Sequence, residues 1–203
     1  PNPDENPDDP NQYRFTALDA AIRSATDVRG EGIVLQLGFS TCAADIEGEL
    51  DRAATWASVG ANVVRHLIGG NSWDPRGLTA SLVAVELLDD PVTTYHLTEA
   101  DRERAFELFG AMARALRAAF PEGKPLVAGP SVRIAAARDV TTSGTSIAVF
   151  LARLGDAPST DFPLDVLSYR VADDDPRAVA TIGKALRARL DALGRTATEL
   201  LVT

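Results

Sequence analysis

A single cysteine, Cys42, in 203 residues leaves no partner for an internal disulfide and no cysteine-cluster metal site. Histidine is nearly as scarce, with only His66 and His96, so a histidine-rich zinc site is not expected. The longest apolar runs are of strand length, too short for a membrane-spanning helix. Net positive charge is missing as well. The formal charge of −9 sets up a field that repels nucleic-acid phosphate and anionic membrane surfaces. No secretory signal is evident, because the first residues are acidic and proline-rich rather than basic and then apolar. A processed mature chain would look the same, so a soluble protein is expected, cytoplasmic or secreted. What is present is ordinary for a globular chain: 45% hydrophobic and 24% charged residues, in a length that suits one domain with a proper core.

Residues 1–12, PNPDENPDDPNQ, hold almost no apolar side chain and are expected to form a flexible acidic segment ahead of one domain over 13–203. Thr16 followed by Asp19 gives a helix start, with Leu18, Ile22, Ala25 and Val28 at helical spacing. Ile33 to Phe39 reads as a strand. A long helix is expected from about Asp45 to Ile68, ended by Gly69-Gly70. Thr98 and Asp101 cap another, which carries Phe106, Phe109, Met112, Leu116 and Phe120 on one face. Pro125 to Ala128 is a strand running into Gly129-Pro130, and 131–143 reads as a loop. Ser143 to Leu154 is helical, Leu164 to Tyr169 a strand, Pro176 to Leu193 a helix, and Glu199 to Thr203 a last strand.

One stretch organises the rest. Leu82 to Leu88 is a short apolar run with the look of a strand buried on both faces, and it ends in Asp89-Asp90-Pro91. Alternating strands and helices imply βαβ units and a parallel sheet. In a parallel barrel the C-terminal strand ends form the active face, so acids placed there are candidates for chemistry. Taken alone, Asp-Asp-Pro is more simply a turn. Strand starts near residues 33, 82, 126, 164 and 199 suit an α/β barrel, and a doubly wound sheet would look similar. No glycine-rich phosphate loop follows any strand, which argues against the dinucleotide-binding folds. A flavodoxin-like receiver would need an acidic cluster at the first strand end and a strand-ending lysine, and neither is evident.

Several segments, in order, resemble the catalytic barrel of the family 39 glycoside hydrolases, which include β-xylosidases and α-L-iduronidases. Tyr13-Arg-Phe15 through Asp19 and then Gly32 to Phe39 resemble that family's Tyr-x-Phe…Asp helix and third strand. Val85-Glu86-Leu87-Leu88-Asp89-Asp90-Pro91 resembles its fourth-strand Glu-x-Trp-Asn-Glu-Pro. Ala128-Gly129-Pro130 resembles the fifth-strand Gly-Gly-Pro. Phe150-Leu151 with Pro163 to Ser168 resembles the approach to strand six, and Glu199 to Thr203 the approach to strand seven. The resemblance implies a partial (β/α)8 barrel holding strands three to seven of eight. It also implies retaining hydrolysis of a β-linked saccharide, in which paired carboxyls stand roughly 5–5.5 Å apart, one protonated and one ionised. No cofactor and no metal are implied, and the partner is a saccharide.

Carried over by position, Asp90 stands for the acid/base glutamate and Asp89 for the asparagine that holds the sugar 2-hydroxyl. Glu86, Gln36 and Arg170 fall at further substrate-facing positions, with Gln36 replacing a glutamate, Arg170 a histidine and Leu88 a tryptophan. The nucleophile of the pattern would follow Thr203. Asp90 is shorter than glutamate by one carbon–carbon bond, about 1.5 Å, and a misplacement near 1 Å costs roughly a hundredfold in rate. An impaired hydrolase, or a non-catalytic saccharide-binding or scaffolding descendant, is therefore expected. Trp73 is a candidate for stacking on a sugar face and His96 for lining the cleft, although burial and a solvated loop are the plainer readings. His66 reads as packing, Trp56 as partial core, Cys42 as a small filler and Asp173-Asp174-Asp175 as a solvated helix start rather than a calcium loop. A five-strand arc would leave two open sheet edges, hence an expectation of association through them.

Overall fold

A computed structural model describes residues 6–29, 32–38, 48, 50–69, 81–91, 97–172 and 175–203, and among these the alternation of apolar runs with amphipathic stretches is realised as five strands and five α-helices. The strands are β1 (Ile33–Leu37), β2 (Leu82–Leu87), β3 (Leu126–Ile134), β4 (Val166–Val171) and β5 (Glu199–Val202). The helices are α1 (Thr16–Arg29), α2 (Ala53–Ile68), α3 (Glu99–Ala119), α4 (Ser146–Asp156) and α5 (Pro176–Ala192). All four strand pairings are parallel, and the order in the sheet is the order in the chain, β1-β2-β3-β4-β5. A doubly wound sheet reverses its order at a switch point; this one does not. Since parallel crossovers are almost always right-handed, an unreversed order puts the connecting helices on one face.

The burial pattern agrees. Leu35, Val85, Leu87, Val127, Leu167 and Tyr169 point into the core shared with the helices, where Phe106, Phe109 and Phe150 are fully buried. The alternate residues Ala84, Ala128 and Val166 form a separate apolar cluster with Leu126 and Leu201 that contains no helix residue. On the helix side, Phe109 and Phe150 meet edge to face at 5.3 Å. Each such phenylalanine contributes about 2–3 kcal/mol by burial and the contact about 1 kcal/mol more. Gly60 lets α2 approach α3, since a Cβ there would lie 3.2 Å from Met112 Cε.

The face away from the helices is concave. Ser131 on β3 and Thr203 at the end of β5 share a hydroxyl–hydroxyl hydrogen bond of 2.7 Å, with β4 between them. A hydroxyl reaches only about 2.4 Å from its own Cα, so two of them cannot meet across the roughly 9.6 Å between alternate strands of a flat sheet. The sheet therefore curls as a barrel wall does. No further strand pairs with the outer edge of β1 or β5 among the described residues.

Several boundaries differ from the sequence reading. Residues 131–134 continue β3 instead of opening a loop, because Val132 and Ile134 enter the helix-side core and pair with Tyr169 and Val171 of β4. The rest of that stretch holds a 3-10 turn at Ala137–Val140, braced by the Asp139 carboxylate on the Ala135 and Ala136 N–H groups. Thr145, not Ser143, leads into α4 and caps it. Asp19 does not complete a capping box: its carboxylate lies 2.6 Å from His66 Nε2, and the buried His66 ring stacks on Phe15 at 3.6 Å. Residues 6–12, expected as a loop, contain a 3-10 turn at Pro10–Gln12, and Asn62 of α2 donates to the Pro7 carbonyl at 2.9 Å. Of the long helix expected from Asp45, residues 45–47 and 49 lie outside the described residues, and a turn at 51–52 precedes α2, which begins only at Ala53. Phe39, Cys42, Asp173 and Asp174 also lie outside the described residues, while Asp175 is the N-cap of α5.

Candidate functional site

The strand ends converge on one rim, and the chain is pinned there by an unusual local backbone. Leu88 (φ 62°), Asp90 (φ 41°) and Ser131 (φ 54°) are left-handed without being glycine. Non-glycine residues rarely accept that conformation unless their surroundings hold them in it. Here each donates its N–H to a neighbouring strand or its end. Leu88 donates to the Leu37 carbonyl at 2.8 Å and Asp90 to the Pro130 carbonyl at 3.0 Å. Ser131 donates to Ser168 Oγ at 3.1 Å. The reversal after β2 thus threads Asp89 and Asp90 between the ends of β1 and β3.

Asp90 is 2% exposed, and its Oδ1 has no hydrogen-bond partner among the described residues. A buried carboxyl oxygen left without a donor is costly, and such atoms are rare outside sites with a job to do. Asp89 faces Arg170 as an ion pair, with Arg170 Nη2 2.6 Å from Asp89 Oδ1, yet that oxygen, like Asp90 Oδ1, has no well-aligned hydrogen bond among the described residues. That contact passes from the end of β2 to β4 over β3, a second tie that skips a strand. Deeper on the concave face, Gln36 Nε2 donates to Glu86 Oε1 at 3.3 Å, the two residues being register partners on β1 and β2. Glu86 is buried at 3% exposure. Tyr169, beside Arg170, turns the other way into the helix core, and burial pushes its phenol above the ordinary range.

Of the residues singled out in the sequence, the structure brings Gln36 to Glu86 and Asp89 to Arg170, with Asp90 adjoining. Trp73 and His96 lie outside the described residues. No group of three or more metal-ligating side chains occurs among the described residues. Ser131 and Thr203 were not foreseen as site residues. A serine after Gly-Pro carries no pattern that announces a left-handed backbone, and its partner is distant in sequence.

No family model matches this chain, and no curated protein matches it. Among solved structures it is similar to a glucosidase from Croceicoccus marinus, with a TM-score of 0.75 and 27% sequence identity. The match covers 100% of this chain and 39% of that one, so the chain spans well under half the length of the glucosidase. The fold is therefore glycosidase-like, an α/β arrangement around a parallel five-strand sheet. The finer resemblance to family 39 has no matching family model behind it.

Proposed function

We propose that this chain is a glycoside hydrolase-like domain whose strand-end rim holds a saccharide, with Asp90 as the residual acid/base group. The observation that carries the reading is the position of Asp90: a buried carboxyl with an unpartnered oxygen, at the C-terminal end of β2, on the rim where the neighbouring strands also end. The glucosidase likeness supports the substrate class. In this reading Asp90 protonates the leaving glycosidic oxygen, while Glu86 and Gln36 supply hydrogen-bonding groups below it and Arg170 and Asp89 at its side. The parent chemistry is retention at a β-linked, xyloside-like saccharide, slowed here because the shorter Asp90 stands back from the bond it must protonate.

A second reading, a saccharide-binding domain without catalysis, is favoured by the Asp89–Arg170 pair. A carboxylate ion-paired with a guanidinium at 2.6 Å offers a sugar hydroxyl acceptors only, where the amide of the pattern also donates. Hydrolysis of p-nitrophenyl β-D-xyloside and β-D-glucoside by the wild type and Asp90→Asn separates the two. Slow turnover lost in the variant, by about a hundredfold or more, supports hydrolysis. Equal affinity with no turnover in either protein supports binding alone, and no affinity in either removes the saccharide.

A further inference from the structure

Three neighbouring segments, the turn after β2, the middle of β4 and the end of β5, are fastened to the dipeptide Pro130-Ser131. The Pro130 carbonyl accepts the Asp90 N–H at 3.0 Å. The Ser131 N–H donates to Ser168 Oγ on β4, and the Ser131 hydroxyl bonds to that of Thr203 beyond β5. Ser131 and Ser168 are both 0% exposed, so neither is placed to touch a ligand from solvent. The β3–β4 register shifts between Pro130 and Val132, so Ser131 is the extra residue of a bulge. Bulges re-aim side chains and are concentrated near active sites. A glycine would occupy this left-handed position without strain. Serine adds to it a hydroxyl that reaches over β4.

Resting on the saccharide reading above, we infer that Ser131 is a positioning residue for Asp90. The Ser131 hydroxyl and amide fix the bulge against β4 and β5, the bulge fixes the Pro130 carbonyl, and that carbonyl fixes the backbone from which the Asp90 carboxyl projects. The residue acts on the acid through one peptide group. The alternative is a purely structural tie between β3 and β5.

The test uses the full chain with Ser131→Gly, which keeps the left-handed backbone and removes only the hydroxymethyl group, and Thr203→Val, which breaks the same bond from the other side. Three quantities are read: the melting temperature, the amide chemical shifts of Asp90, Ser168 and Thr203, and the affinity for and turnover of p-nitrophenyl β-D-glucoside. Ser131→Gly is expected to melt at or near the wild-type temperature and Thr203→Val somewhat below it, since it leaves the buried Ser131 hydroxyl without a partner. Both are expected to shift the Asp90 amide resonance and to lose about tenfold or more in affinity or turnover, as a sub-ångström displacement of the acid entails. An unmoved Asp90 amide in both variants overturns the inference, as does a moved amide with unchanged affinity and turnover in a wild type that binds the glycoside. If the wild type binds no aryl glycoside, the saccharide reading falls, and the Asp90 amide shift alone then decides whether Ser131 positions that residue.

Discussion

Leu88 adopts φ 62° with its side chain 1% exposed, so two opposing effects meet at one residue. A left-handed conformation costs a non-glycine residue about 1–2 kcal/mol, whereas truncating a buried leucine costs about 2–5 kcal/mol. Burial wins. Leu88→Gly is expected to lower stability by about 2 kcal/mol net, read from urea denaturation at constant m-value. Ser131→Gly has no apolar burial to lose and is expected to sit near zero on the same scale. A different balance holds at His66, where the ring is stacked on Phe15 and paired with Asp19. His66→Ala removes both contacts, and a loss of about 2 kcal/mol is expected. Limited proteolysis checks it, with faster cleavage between residues 6 and 19 than in the wild type.

At the scale of elements, α3 shows what local sequence can dictate. Thr98 Oγ1 accepts the Asp101 N–H and donates to the Asp101 carboxylate. That donation, with Arg104 nearby, holds the Asp101 carboxyl below its ordinary value of 3.8. A lowered carboxyl pKa contributes stability that is present above the ordinary value and is lost as the pH falls through the lowered one. Thr98→Ala is expected to cost about 1 kcal/mol at neutral pH, and the difference from wild type should narrow in denaturation carried out below pH 3.8. The cap was visible in four consecutive residues because every partner is local. β3 was only half visible for the opposite reason. Its first residues form an apolar run, but Gly129-Pro130-Ser131 has the composition of a turn, and only pairing with β4 carries the strand through to Ile134. Gly129 has a further reason to be glycine. A Cβ there would stand 2.4 Å from the Leu87 carbonyl oxygen, at φ 128°. Gly129→Ala is expected to destabilise by about 3 kcal/mol or more, because the obstructing atom is backbone of β2 and cannot swing aside.

For the molecule as a whole, periodicity located each of the five described strands, while strand order was invisible in it. Both a barrel wall and a doubly wound sheet alternate strand and helix. They differ in where each new strand is added, and that depends on packing among residues far apart in the chain. The site divides the same way. Asp89 and Asp90 stood out beside a proline, and Glu86 and Gln36 lay in legible strands. Nothing in the sequence joined Asp89 to Arg170 or Ser131 to Thr203. The two outer strands show the consequence of the open wall. Val34 on β1 is 47% exposed and Val202 on β5 is 48% exposed. Edges that no other strand covers among the described residues, carrying apolar side chains, invite pairing with another chain. Sedimentation velocity on the wild type is expected to show association that grows with concentration, weakened in Val34→Lys/Val202→Lys. A monomer at all concentrations would contradict it.

The concave wall is also graded along its depth. Val34, Ala84 and Leu126 lie at its lower level, and Arg170 with Asp89 stands at its upper one. A guest resting on such a wall would leave its water in stages, keeping polar company at the rim while its inner end meets apolar side chains.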